Sequence, residues 1–404
     1  MAQLLQVQKS KIKNQRSEIG SLPRADYPLI AAVGALLVIG LMMIYSASYE
    51  VAYQTKGDAA YYVLRQAVFT LGGIVVAVLL ARSDFSSWRR WSVLLLGAIL
   101  ILLIVVRLFG ADLYGAQRSF FDGSVQPSEI AKLVVILYIA DWLASKGDKI
   151  RDLNYGLIPF AAIVGGVAGL IIIQPDYGTA ILIVLIAGAM FFMAGADLKQ
   201  FFFSVLIAGL IIGGMVLLSP HSHIRLDDYM KGLQDPALAS DQLRQAIRAM
   251  QIGGISGVGL GNGLVKVGFL PLAHTDTIFG LIAIETGFFG VLALLSLYAI
   301  VAYRGFRIAM TASNTYGQLL AVGATSYIIL QALINVNVMT GMLPLTGIPL
   351  PFVSYGGSSL ISVMAAVGIL ISVSRGSRKG KTYGAFMDRS RRDGRSRLPR
   401  ISRR

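Results

Sequence analysis

Ten apolar runs along the chain are long enough to cross about 30 Å of hydrocarbon at about 1.5 Å per helical residue. They run approximately 28–48, 65–82, 90–108, 128–145, 157–174, 177–195, 200–218, 277–303, 317–339 and 357–374. A charged stretch of 27 residues precedes the first run and no small-residue cleavage site follows it, so it reads as a retained span rather than a signal peptide. The connection at 219–276 is long. Within it, Gln242 to Gln251 places Leu243, Ile247 and Met250 on one helical stripe with Arg244 and Arg248 beside it, the pattern of a helix lying in the interface. GGISGVGLGNG at 253–263 follows, too glycine-rich for a stable helix and read as a close-approach turn. The pattern predicts an all-α polytopic membrane protein: ten transmembrane helices, with a large extracytoplasmic loop between the seventh and eighth.

Composition agrees. A chain of 404 residues that is 55% hydrophobic and 14% charged cannot cover a soluble surface, which needs about a quarter of its residues charged. With no cysteine, disulfides, thiolate catalysis and Cys-ligated metal are excluded, and three histidines make a multi-His metal site a poor candidate. The net charge of +15 sits mostly in the tails: residues 1–27 carry five Lys/Arg against two acids, and residues 375–404 carry twelve against two. Basic tails on an apolar chain fit the positive-inside rule and anionic lipid better than nucleic acid, for which there is no aromatic interleaving. With the N-terminus inside, the inner short loops hold nine Lys/Arg and the outer ones four (Lys56, Arg65, Arg107 and Arg118). The chain thus divides into a cytoplasmic tail at 1–27, a membrane domain at 28–374 and a basic cytoplasmic tail at 375–404.

Polar residues in or beside the spans carry the chemical information, because charge at membrane depth is costly. Glu129 and Lys132 share one helical face in QPSEIAK; they form either a self-neutralising ion pair or a cation, oriented by the acid, for an anionic headgroup. Asp176 in QPDYGT reads as the N-cap of the sixth span. In PLAHTDTIF, Asp276 enters a helix directly after the glycine-rich loop, with His274 and Thr275 beside it and Lys266 upstream. It is either an N-cap or a half-desolvated carboxylate suited to accepting a proton. Glu285 lies nine residues on, in an apolar helix, and requires a partner that the pattern does not name. GMLPLTGIPLPFVSYGGSS at 341–359 cannot continue a helix and reads as a re-entrant outer segment. It serves either as a rigid lid or, through hydroxyls such as Ser354 and backbone N–H groups, as a headgroup site.

QPSEIAKL at 126–133, QPDYGTA at 174–180, GGISGVGLGNG, AHTDTIF at 273–279 and PFVSYGGSSL at 351–360 together resemble, in order, the SEDS family, the FtsW/RodA group of bacterial membrane proteins. The resemblance covers about 28–374 and implies the same ten-span fold. It further implies a peptidoglycan glycosyltransferase polymerising lipid II in the bacterial cytoplasmic membrane beside a class B penicillin-binding protein and other divisome or elongasome proteins. Its essential aspartate falls on Asp276, and its Glu and Lys fall on Glu129 and Lys132. The basic C-terminal tail leans towards an FtsW-like division protein. Departures are Pro271-Leu272 where the family has Pro-Glu, Arg118-Ser119 for Arg-Trp, Glu285-Thr286 for an acidic pair, and an altered Tyr-Gln around Asp241-Gln242.

As chemistry, Asp276 would take the proton of the acceptor sugar's 4-hydroxyl as it attacks the donor's anomeric carbon, with inversion to a β-1,4 link. The departing diphosphate would be met by Arg118, Lys132, Lys266, Arg244 or Arg248, or by a divalent ion such as Mg or Mn bound to it. Substrate contacts are expected from Arg118, Glu129, Lys132, Lys266, His274, Thr275 and Ser354 around lipid II and the growing glycan-lipid, with no resident cofactor or protein-held metal. The competing classes are a lipid II flippase, for which the inverted repeats common in transporters are not evident, and a non-catalytic division scaffold.

Overall fold

Asp26 opens the first helix. In this computed structural model its Oδ1 accepts from the Leu29 N–H at 3.2 Å, Pro28 occupies the first turn of α1 (Tyr27–Lys56), and Gly57 ends it in the left-handed region at φ 72°. The structure describes residues 26–113, 116–119, 126–197, 220–235, 238–263 and 275–394, with isolated positions between 199 and 214. After α1 come α2 (Tyr61–Arg82), a short α3 (Phe85–Trp88) leading through a 3₁₀ turn into α4 (Ser92–Phe109), and an antiparallel ribbon of β1 (Ala111–Leu113) and β2 (Ala116–Ser119). The remainder is α5 (Pro127–Lys146), α6 (Ile158–Ile173), α7 (Tyr177–Met193), α8 (Pro220–Gln234), α9 (Asp241–Gly253), α10 (Ile278–Met310), α11 (Thr315–Met339) and α12 (Gly357–Gly394). The ribbon is the one departure from the all-α expectation among the described residues.

Seven helical stretches among the described residues are long and apolar enough to cross a membrane by length and composition. α7 is apolar but has 17 residues, and α5 carries Glu129, Lys132, Asp141 and Lys146. These nine correspond to nine of the ten predicted spans; the tenth, 200–218, lies largely outside the described residues.

Side-chain contacts sort the helix ends into two layers. At one end Arg304 grips Asp26 with two bonds, Nε to Oδ1 at 2.8 Å and Nη2 to Oδ2 at 2.5 Å, while Arg89 Nε and Ser92 Oγ reach Asp141 at 2.5 and 2.8 Å. Arg375 donates to the Ala81 carbonyl, and Arg151 to that of Gly195. All of these positions fall on the side that the basic loops predict to be inner. At the opposite end Gln126 meets Ser358 and Asp176, and Gln66 meets Ser354 and Gly356. Gly195 belongs to the first layer and Asp276, as described below, to the second.

Burial separates the core helices from the lipid-facing ones. Of their apolar windows, 78% is buried for α11 and for the start of α12, but 22% for α2 and for the α3–α4 stretch. The apolar surface left on α2 and α4 suits contact with hydrocarbon chains.

α9 is the amphipathic helix that the pattern at 242–251 predicts. Its buried stripe is Leu243, Ala246 and Ala249, with Ile247 and Met250 half-buried and Arg244 and Arg248 exposed. It packs on the first half of α10, where a Cβ on Gly280 would lie 3.4 Å from the Ala246 Cα. Alanines on that stripe let two backbones approach, so the helix docks on α10.

Candidate functional site

Asp276 lies on the turn that leads into α10. The helix cap is Thr277, which makes no side-chain capping bond, so the N-cap alternative for Asp276 is not the one adopted. Its half-buried carboxylate receives the Thr275 hydroxyl, Oγ1 to Oδ1 at 3.0 Å, and takes part in no ion pair among the described residues. The backbone is held more firmly. Asn335 Nδ2 donates to the Asp276 carbonyl and to the Ile348 carbonyl, both at 2.8 Å. Among the described residues Asp276 therefore combines a fixed main chain with a lightly engaged carboxylate.

From that turn the helix runs buried through Ile278, Leu281, Ile282 and Ile284, then breaks at Gly287 (φ 64°, ψ −163°). The break frees backbone groups, and the glycine-rich segment satisfies them: Val258 and Gly259 N–H donate to the Ile284 and Glu285 carbonyls at 2.9 and 3.0 Å, and the Phe288 N–H donates to the Gly254 carbonyl at 2.9 Å. A Cβ on Gly257 would lie 2.2 Å from the Glu285 carbonyl oxygen, so the close approach read from the sequence is real, although the break itself was not predicted. Glu285, unpaired in the sequence, finds Ser46 of α1: Oγ donates to Oε1 at 2.5 Å, and the Gly261 and Gly263 N–H groups face the same carboxylate. Beside it is a cavity of about 450 Å³ lined by Met42, Tyr45, Ser46, Tyr49, Leu260 and Gly261. Asp276 is not among its lining residues.

Glu129 and Lys132 form the ion pair of the first alternative. Lys132 Nζ lies 2.8 Å from Glu129 Oε1, 3.1 Å from Gln331 Oε1 and 4.8 Å from the centre of the Tyr327 ring, and Tyr327 OH donates to Glu129 Oε2 at 3.4 Å. The Lys132 and Glu129 side chains are 1% and 5% exposed, so the partners they have in this structure are internal. Asp176 is the predicted N-cap, accepting from the Thr179 N–H at 3.2 Å, and its other oxygen takes Gln126 and Ser128 at 3.1 Å each.

The 341–356 segment is irregular as expected, with Ile348, Leu350, Phe352 and Val353 buried. Its carbonyls are taken up by donors from several helices: Pro351 by Tyr298 OH at 2.5 Å, Pro349 by Gln331 at 3.0 Å and Ser354 by Gln66 at 3.2 Å. The buried Ser354 hydroxyl accepts from the Leu350 N–H at 2.8 Å, a contact within the segment itself.

Lys266 and His274 lie outside the described residues. Arg118 falls on β2, and its side chain is outside the description. Among the described residues no cluster of three or more His, Asp or Glu stands ready to hold a metal. Gln331 and Asn335 were missed by the sequence reading; they are polar residues one turn apart inside an apolar span, the same signal that flagged Lys132.

Residues 27–379 match the family model described as cell cycle protein, whose name joins FtsW, RodA and SpoVE. The chain belongs to this family. Among FtsW/RodA/SpoVE relatives, a probable peptidoglycan glycosyltransferase FtsW of Trichlorobacter lovleyi is 38% identical over 359 residues, 88% of this chain and 94% of that one. Stage V sporulation protein E of Bacillus subtilis is 38% identical over 357 residues, 87% and 98% of the two chains. Among solved structures, a chain from a peptidoglycan synthase complex that coordinates polymerization and crosslinking superposes with a TM-score of 0.73 at 28% identity, covering 88% of this chain and 98% of its own. RodA of Thermus thermophilus gives 0.65 at 26% identity, covering 87% and 97%. The family thus extends over the membrane domain and stops before most of the basic C-terminal tail.

Proposed function

We propose that this protein is a peptidoglycan glycosyltransferase that polymerises lipid II into β-1,4-linked glycan strands at the outer face of the bacterial cytoplasmic membrane. In this reading it has ten spans, both termini in the cytoplasm and Asp276 on the extracytoplasmic side. Family membership and the names of its relatives support the activity, and the distribution of basic loops supports the sidedness.

The observation that carries the role of Asp276 is its environment. Asp176 spends its carboxylate on a helix cap and two side chains, whereas the Asp276 carboxylate has the Thr275 hydroxyl as its partner among the described residues. A base needs an unspent lone pair and a fixed position. Asp276 takes the proton of the acceptor's 4-hydroxyl; that oxygen bonds to the donor's anomeric carbon as the bond to diphosphate breaks, and undecaprenyl diphosphate leaves with the electron pair. With Lys132 enclosed, the cations for that leaving group come from Arg118, Lys266, Arg244 or Arg248. A divalent ion on the substrate diphosphate would supply further charge neutralisation. Two lipid-anchored reactants confined to one interface lose less freedom on alignment. A class B penicillin-binding protein is the partner that crosslinks the product, a reading supported by the synthase complex to which this fold is similar.

The test is polymer formation from lipid II by purified protein with its crosslinking partner. Asp276→Asn should insert and fold yet yield no polymer. Wild-type yield from that variant removes Asp276 from the base role; transfer of lipid II across vesicles by a polymerisation-inactive wild type would favour a flippase.

A further inference from the structure

We infer that Asn335 is a positioning residue for the reaction, holding Asp276 at a fixed place relative to the buried 341–356 segment. The inference rests on Asp276 being the base. One carboxamide nitrogen spends its two hydrogens on two carbonyls far apart in sequence, those of Asp276 and Ile348, at 2.8 Å each. Asn335 is 1% exposed, and its Oδ1 has no partner among the described residues. A buried acceptor without a donor is unfavourable, so the group is retained here for what its nitrogen does.

The anchor is itself fixed. One turn earlier on α11, Gln331 Nε2 donates to the adjacent carbonyl, Pro349, at 3.0 Å, and its Oε1 takes Lys132 Nζ at 3.1 Å. The segment also lies against helix backbones on two further sides: a Cβ on Gly40 would meet the Phe352 carbonyl at 2.5 Å, and one on Gly178 the Thr346 carbonyl at 2.9 Å. Asn335 and Gln331 thus form a two-rung amide ladder. It ties the Asp276 turn to a rigid body and makes the enclosed Lys132–Glu129 pair part of the support of the site rather than a contact for substrate. Displacement of a base by about 1 Å can cost on the order of 100-fold in rate, so a device that fixes its main chain bears on turnover rather than on binding.

The experiment uses full-length protein with its partner and lipid II. Asn335→Asp keeps the size and removes the paired hydrogens; Asn335→Leu removes the hydrogen bonding altogether. Each should lower kcat by about 10- to 100-fold while KM stays within about twofold. Thr325→Val, a buried change on the same helix whose hydroxyl bonds its own backbone at Ala321, should leave kcat within about twofold. Because the chain has no cysteine, Thr275→Cys gives a single reporter thiol. Its alkylation by a maleimide should quicken at least about fivefold when combined with either Asn335 change. Wild-type kcat in Asn335→Asp overturns the inference, and so does a loss of kcat with the alkylation rate unchanged. If Asn335→Leu does not fold, Asn335→Asp alone decides. Asp276→Asn runs in parallel: if it is active, the base assignment fails; if it is inactive while both Asn335 variants turn over normally, only the positioning role fails.

Discussion

Ser46 on the first helix donates its hydroxyl to Glu285 Oε1 across 2.5 Å, joining α1 to α10, the helix that follows the Asp276 turn. The residues are 239 positions apart, and the bond crosses the place where the glycine-rich segment repairs a broken helix. Removing the hydroxyl leaves a buried carboxylate short of a donor. Ser46→Ala should cost about 1 kcal/mol of stability, near the upper range of measured side-chain bonds in membranes. Thermal unfolding in detergent checks it, and a midpoint equal to wild type would show that the bond contributes nothing.

The glycines of the 253–263 segment should not be equivalent. Gly257 has φ +77°, and an added Cβ would strike the Glu285 carbonyl, whereas Gly261 has φ +80° with nothing within 4 Å. Gly261→Ala should cost about 1 kcal/mol from backbone strain alone, and Gly257→Ala at least about twice that. Equal losses in folded yield or unfolding midpoint would contradict the packing described.

Lys132→Ala leaves Glu129 buried without its cation and should destabilise the protein by about 3–5 kcal/mol. The double change Glu129→Leu with Lys132→Met should recover a large share, because a well-packed apolar pair removes the uncompensated charge. If Lys132→Ala unfolds like wild type but does not polymerise lipid II, Lys132 acts on substrate after all.

Two aspartates of the same type should answer differently to one change. Asp276→Asn should alter stability by less than about 0.5 kcal/mol, since its carboxylate neither caps a helix nor pairs with a cation among the described residues. Asp176→Asn should cost about 1–2 kcal/mol, because Asp176 caps α7 and binds Gln126 and Ser128. Paired unfolding curves decide, and a larger loss at Asp276 would assign it a structural duty.

The spans were legible because a helix in hydrocarbon must be apolar along its whole length, a local property that composition displays. The cap at Asp176 and the close approach at Gly257 were legible for similar reasons, since each uses backbone rules reaching a few residues. The packing partner of α9 was not legible, because Leu243, Ile247 and Met250 stand out by hydropathy, while Ala246 and Ala249, the residues that let two backbones meet, carry no such signal.

By itself the sequence marked the apolar segments, nine of which match helices of the structure, and the carboxylates that deserved chemical scrutiny. Only the tertiary structure decided that Glu129 and Lys132 close on each other, that Ser46 answers Glu285, and that Asn335 grips the Asp276 carbonyl. Glu129 and Lys132 are three residues apart on α5, and it is Gln331 and Tyr327 of α11 that enclose them; the other two contacts join different elements, and hydrogen-bond partners so far apart are fixed by packing, which hydrophobic periodicity does not encode.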